Sequence, residues 1–237
     1  MKFYYRRIIA IIFVLAVGIT LGFLYKNRII WFVYPNKNIY KINGLDISHH
    51  QGEIDWKNVD DKFKFIFAKA TEGDTFIDKR FYENIGKIKE SGRIAGAYHF
   101  FHFNINGIEQ ANNFINVVGN SIDLPPVIDF EFGGNSKNYS EDIMMNELQR
   151  YINTLEEYYG SRVIIYVTYE SYKLIKKYNI SNPIWYRSII FPINKKNHDI
   201  LFWQYHNSAK IKGINRVVDL NVFKGSLEDL MELKIKR

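Results

Sequence analysis

Pro125-Pro126-Val127-Ile128-Asp129-Phe130-Glu131-Phe132 decides how this chain is read, because it sets two acids inside an apolar strand. Successive side chains of a strand point to opposite faces, so Asp129 and Glu131 share one face and Ile128, Phe130 and Phe132 the other. So apolar a face has to be covered by helices, which leaves both carboxylates on the opposite side of the sheet. Leu45-Asp46-Ile47 and Val218-Asp219-Leu220 repeat the alternation near the two ends of the chain.

On either side of this strand, short apolar runs alternate with amphipathic stretches. Strands are expected over 44–48, 65–70, 94–101, 125–132, 162–168, 183–187, 200–206 and 217–223. Helices are expected over 53–61, 78–90, 107–119, 140–159 and 169–178, one after each of the first five strands. The last three strands are separated by only about a dozen residues, too few for a full crossover helix. Strand–helix alternation implies a parallel sheet, and eight strands imply its closure. The expected fold is therefore α/β, an irregular TIM-like barrel of eight strands with about five helices, (β/α)5(β)3. An open doubly wound sheet would carry a glycine-rich phosphate turn after its first strand, and none is present. In a barrel, Asp46, Asp129, Glu131 and Asp219 all reach the mouth where active sites lie.

The first 43 residues differ in kind. They hold seven bases and no acid, while the remaining 25 bases equal the 25 acids found from Gly44 onward. The net charge of +7 thus belongs to the N-terminal segment. A nucleic-acid surface would concentrate basic charge on the folded part, so nucleic acid is excluded as a partner. Residues 8–25, IIAIIFVLAVGITLGFLY, run for 18 residues without a charge, enough to span a bilayer core as a helix. Leu21-Gly22-Phe23-Leu24-Tyr25 offers no small-x-small cleavage site, so an uncleaved anchor is expected in place of a signal peptide. The organisation read from the sequence is a flank at 1–7, a single-pass transmembrane helix at 8–25, a tether at 26–43 and a catalytic domain at 44–237. In the tether, the run Trp31-Phe32-Val33-Tyr34 suits the headgroup level. Lys2, Arg6 and Arg7 favour a cytoplasmic N-terminus, with the domain outside the cell membrane. The chain has no cysteine, which removes thiolate nucleophiles, cysteine–zinc sites and a lipoprotein anchor.

Four acids on three strands exceed what structural ion pairing requires, with Lys69 the base inside the strands read as available to them. Crowded carboxylates push one another's pKa up, and a carboxylic acid kept protonated can give its proton to a glycosidic oxygen. Tyr98, Tyr166, Trp185 and Trp203 stand near strand ends; core packing explains most aromatics, while Tyr98 and Trp185 are read as sugar contacts. His49, His50, His99 and His102 also cluster there, without the spacing of a helical metal motif, so no metal is expected.

With these residues in place, the chain resembles glycoside hydrolase family 25, the Chalaropsis-type lysozymes. The resemblance rests on GLDISHHQGEIDW from Gly44, FAKATEGDTFID from Phe67, AYHFF at 97–101, PPVIDFE at 125–131, WQY at 203–205 and VDLNVF at 218–223, all in the family's order. It implies a muramidase cutting the β-1,4 bond between N-acetylmuramic acid and N-acetylglucosamine in peptidoglycan, without a cofactor. It implies Glu131 as general acid, Asp129 as its partner and Asp46 as a further catalytic acid. Asp219, Tyr98, Tyr166, Trp185 and Gln204 are expected to contact the glycan, and the chain to act as a monomer. Lys69 and Glu72 are read as structural, and His50 departs from the Trp or Asn of many relatives. Two alternatives remain at this level, a glycan-binding pseudoenzyme and a metal-dependent hydrolase on the same barrel.

Overall fold

The structure, a computed structural model, describes residues 2–26, 31, 33–136, 138–193 and 197–236. It divides into two compact units, Met1–Tyr34 and Pro35–Arg237. Part of the tether, residues 27–30 and 32, including Phe32 of the aromatic run, lies outside the described residues.

In the first unit, α1 runs over Lys2–Lys26, beyond both ends of the 8–25 span. Its stretch Tyr4–Lys26 has a mean hydropathy of 2.7. A helix of this length and composition serves as a membrane anchor or as a signal sequence.

The second unit is built on β1 (Ile42–Ile47), β2 (Phe63–Glu72), β3 (Phe76–Ile77), β4 (Ile94–Phe100), β5 (Val127–Phe130), β6 (Ile164–Val167), β7 (Ile184–Arg187), β8 (Ile200–Ala209) and β9 (Val218–Phe223). Eight of them close into a barrel in the order β1-β2-β4-β5-β6-β7-β8-β9 and back to β1, with β3 as a short hairpin arm on β2. Helices α2 (Phe81–Glu90), α3 (Gly107–Val118), α4 (Glu141–Tyr159) and α5 (Tyr169–Lys177) provide the crossovers, and α6 (Leu227–Glu232) follows the last strand. Neighbours from β1 through β8 are parallel, whereas β9 runs antiparallel to both β8 and β1. The short link over residues 210–217 dictates this, since so few residues return the chain beside β8 but cannot carry it back over the sheet.

The period of two divides the core into two layers. Ile66, Ala68, Ile128, Phe130, Ile165 and Val167 face outward and pack with the helices. Phe65, Phe67, Val127, Tyr166, Trp185, Phe202 and Phe223 face inward and fill the barrel. Phe202 stands 5.2 Å from Phe65, 5.3 Å from Phe67 and 5.0 Å from Phe223, ring centroid to centroid, so one aromatic layer closes the interior. Two glycines make room for it. Gly44 pairs with Phe65 and Gly96 with Phe67, and a Cβ at either would sit 2.3 Å from the facing ring.

Three features differ from the sequence reading. The helix expected over 53–61 is a series of turns. There the Asp55 amide donates to the Gly213 carbonyl at 2.8 Å and Asp60 accepts from the Lys62 amide at 2.9 Å, bonds that compete with helical ones. Ile54 forms instead a bridge with Ile214. Helix α6 was not expected, although Ser226 and Asp229 form the capping box that marks it. The folded unit also takes in residues assigned to the tether: Tyr40 bridges Gly225, and β1 starts at Ile42.

Because the ring opposite Gly96 is buried on all sides, Gly96→Ala should cost ~1–3 kcal/mol through overpacking. Thermal unfolding of that variant should show a Tm lower by several degrees, and an unchanged Tm would contradict the interior packing described.

Candidate active site

Above the aromatic layer, at the C-terminal ends of the parallel strands, lies a cavity of about 190 Å³ lined by Asp46, Tyr98, Asp129, Glu131, Tyr166, Trp185, Gln204 and Asp219. All eight residues singled out in the sequence meet there. Strand register explains the gathering. Asp46 on β1 lies opposite Asp219 on β9, and Asp129 on β5 pairs with Tyr166 on β6. Glu131 follows the last residue of β5. Asn135 fixes that exit by donating to the Glu131 carbonyl at 2.9 Å and the Phe101 carbonyl at 3.0 Å.

A hydrogen-bonded web orients one half of the cluster. Gln204 Nε2 donates to Asp46 Oδ2 at 3.0 Å and to Asp219 Oδ2 at 2.9 Å, while its Oε1 accepts from the Tyr166 hydroxyl at 2.9 Å. Asn221 Nδ2 donates to Asp46 Oδ2 at 2.6 Å, and the Trp185 indole donates to Asn221 Oδ1 at 2.8 Å. Each amide is thereby held with its nitrogen toward a carboxylate. The other half of the cluster is different: Asp129 Oδ1 is buried and has no hydrogen-bond partner among the described residues.

These environments push the acids in one direction. Burial raises Asp46 to about 6, against the opposing pull of Asn221, Gln204 and Arg187. Burial raises Asp129 well above the usual carboxylate range, and the neighbouring Glu131 charge adds to it. Glu131 is raised as well, by burial and by Asp46, with Arg187 opposing. The resemblance implied Glu131 as general acid and Asp129 as its partner. Both carboxyls are raised, Asp129 the further, so the two titrate as a coupled pair. Burial also raises the Tyr166 phenol, which stays a neutral donor to Gln204.

The matching family model, glycosyl hydrolases family 25, covers residues 45–214. The chain belongs to that family. A family 25 glycosyl hydrolase from Bacillus anthracis superposes with a TM-score of 0.77 at 37% identity, over 86% of this chain and 97% of that one. The bacterial lysozyme from Streptomyces coelicolor superposes with a TM-score of 0.72 at 28% identity, over 81% of this chain and 96% of that one. In sequence, Lysozyme M1 of Streptomyces globisporus is 30% identical, over 81% of this chain and 71% of its own length.

Within this family 25 barrel, several expected roles shift. Trp185 is only 2% exposed and stacks on Phe67 at 4.8 Å, so it forms the cavity floor and is no open platform. Trp203 faces outward, its indole bonded to the Ser188 carbonyl at 2.8 Å. The four histidines have separate surroundings. His99 is fully buried between Thr71 Oγ1 at 2.7 Å and Gln110 Oε1 at 3.2 Å, and burial lowers it to about 3. His49 pairs with Asp78 at 2.6 Å and His102 with Glu72 at 3.0 Å, while the exposed His50 ring lies 4.0 Å from that of His49. No group of three metal-binding side chains gathers among the described residues. Lys69 is held by Glu72 at 2.6 Å.

Two residues were missed. Asn221 lies two positions after Asp219, and the alternation that aims one inward aims the other. Arg187 lies two positions after Trp185 at the end of β7, so Lys69 is not the only inward base, and its charge acts on Asp46, Asp129 and Glu131.

Acids raised by folding make stability fall with pH. Below the unfolded value of ~4 both states are protonated and nothing is lost. As pH rises through about 6, the folded Asp46 must ionise where charge is disfavoured. At ~1.4 kcal/mol per pKa unit this one group costs about 3 kcal/mol at neutral pH. Tm should therefore fall between pH 4 and 7, and Asp129→Asn, which loses no hydrogen bond at Oδ1, should raise Tm at pH 7 and flatten the decline. A Tm that instead climbs over this interval would contradict the desolvated cluster. Arg187→Gln removes the opposing charge, and the alkaline limb of the rate profile should move to higher pH.

Proposed function

We propose that this protein is a muramidase that hydrolyses the β-1,4 bond between N-acetylmuramic acid and N-acetylglucosamine in peptidoglycan. The observation that carries the reading is the pair Asp129 and Glu131, desolvated together in the lining of a sugar-sized cavity. Glu131, at the exit of β5, is the less enclosed of the two and delivers the proton to the leaving O4 of N-acetylglucosamine. Asp129, which then takes up negative character, stabilises the positive charge developing at the muramic anomeric carbon. Water completes the hydrolysis, leaving muramic acid at the new reducing end. Asp46, fixed by Asn221 and Gln204, steers the groups around that carbon, while Tyr98 and Asp219 contact the sugar. One barrel supplies the whole cavity, so a single copy suffices. Lysozyme M1 and the Streptomyces coelicolor lysozyme bear names that support the same activity.

The apolar helix α1 supports placing the domain at the outer face of the cell membrane, with Lys2, Arg6 and Arg7 inside. Full-length protein should then partition with membranes, and recovery of mature protein in the medium with its N-terminus trimmed past Tyr25 would contradict the anchor.

Glu131→Gln should lower the rate on peptidoglycan by on the order of 10²–10⁴-fold, with a smaller loss on substrates whose leaving group needs no proton. Mass spectrometry of the digest should find N-acetylmuramic acid at every new reducing end. N-acetylglucosamine there, or near wild-type turnover by Glu131→Gln, would overturn the assignment.

A further inference from the structure

A second and larger cavity, about 650 Å³, lies at the same rim of the barrel, between the start of α5 and the segment that follows β7. Its walls include Tyr169, Ile190 and Phe191, which are 60%, 57% and 72% exposed. Three large apolar side chains left open around one concavity mark a binding surface, because scattered exposure does not build walls. Arg187 lines the cavity too, and by its place on β7 it adjoins the acid cluster, whose pKa values its charge lowers. Among the described residues its guanidinium makes no hydrogen bond or ion pair, so its donors are available to a ligand. Glu170, from the first turn of α5, also lines the cavity. The cavity thus offers a free cation beside the catalytic acids, apolar walls and one anion.

A further N-acetylglucosamine ring could stack on Tyr169 or Phe191, but it carries no carboxylate to pair with Arg187. The peptide that muramic acid carries on its lactyl ether fits better. It begins with an alanine methyl, continues with an acidic residue bearing a free carboxylate, and then carries an amine. Resting on the muramidase reading above, we infer that this cavity receives the muramic acid peptide, with Arg187 taking its carboxylate and Tyr169, Ile190 and Phe191 covering its apolar atoms. An Arg guanidinium suits this role because its planar fork matches a carboxylate. The enzyme then distinguishes peptide-bearing glycan from bare glycan by a contact away from the bond it cuts.

The test compares full-length protein in detergent on two substrates: soluble glycan chains with intact peptides, and the same chains stripped by an amidase. Wild type should show a kcat/KM higher by about tenfold on the peptide-bearing chains. The double variant Ile190→Ser/Phe191→Ser, at exposed positions where the fold tolerates change, should bring that ratio close to one, mainly through KM. An equal rate of wild type on both substrates would overturn the inference and leave the muramidase reading standing. An equal loss on both substrates in the variant would overturn it in favour of a sugar contact. Cleavage of neither substrate by wild type would contradict the muramidase reading and this inference with it.

Discussion

Desolvation of carboxylates at the mouth of a barrel is the constraint on which the rest of this structure depends. The interior beneath them is filled by Phe65, Phe67, Phe202 and Phe223, with Trp185 stacked on Phe67 as the last layer. A floor of this kind offers the acids neither water nor donors, and an ionised carboxylate loses more by such burial than any other group present. The glycines at 44 and 96 belong to the same device, since without them the rings could not lie flat across the neighbouring strands. Packing chosen for the core is therefore also what tunes the acids above it.

The cluster is divided by its hydrogen bonds. Asp46 and Asp219 are tied to amide nitrogens of Gln204 and Asn221, which fix orientation and, at Asp46, oppose the effect of burial. Asp129 has an oxygen with no such partner among the described residues, and burial holds its carboxyl well above the usual range. Two carboxylates held by amide donors thus face a pair crowded by burial and by each other, and differences of this sort separate acid from stabiliser in glycosidase sites. Lys69 and Arg187 moderate the crowding without removing it: Lys69 is already held by Glu72, and Arg187 acts on Asp46, Asp129 and Glu131 from the end of β7.

Much of this was legible in the sequence because the period of two is rigid. Once Ile128 and Phe130 are outside, Asp129 has to be inside, and the same parity places Asp46 and Asp219. Parity also aims Asn221 and Arg187 inward, although neither is an acid or an aromatic. What the sequence could not convey was depth: Trp185 and Tyr98 share the inward face, yet Trp185 is sealed by Phe67 below and bonded to Asn221 beside it. The missing helix at 53–61 failed for a local reason, since the Asp55 amide is given to the Gly213 carbonyl and Asp60 takes the Lys62 amide, backbone donors that a helix would need. The direction of β9 followed from the length of a link and not from any residue within the strand.

The central claim, that the barrel floor holds a proton on the Asp129–Glu131 pair, is open to direct titration. Carbon-13 labels at the Asp γ and Glu δ carboxyls, followed by NMR across pH 3–8 and assigned with Asp129→Asn and Glu131→Gln, report each ionisation separately. The account predicts that the pair titrates in two separated steps, with one proton still bound at pH 6. Complete ionisation of both carboxyls below pH 5 would contradict it.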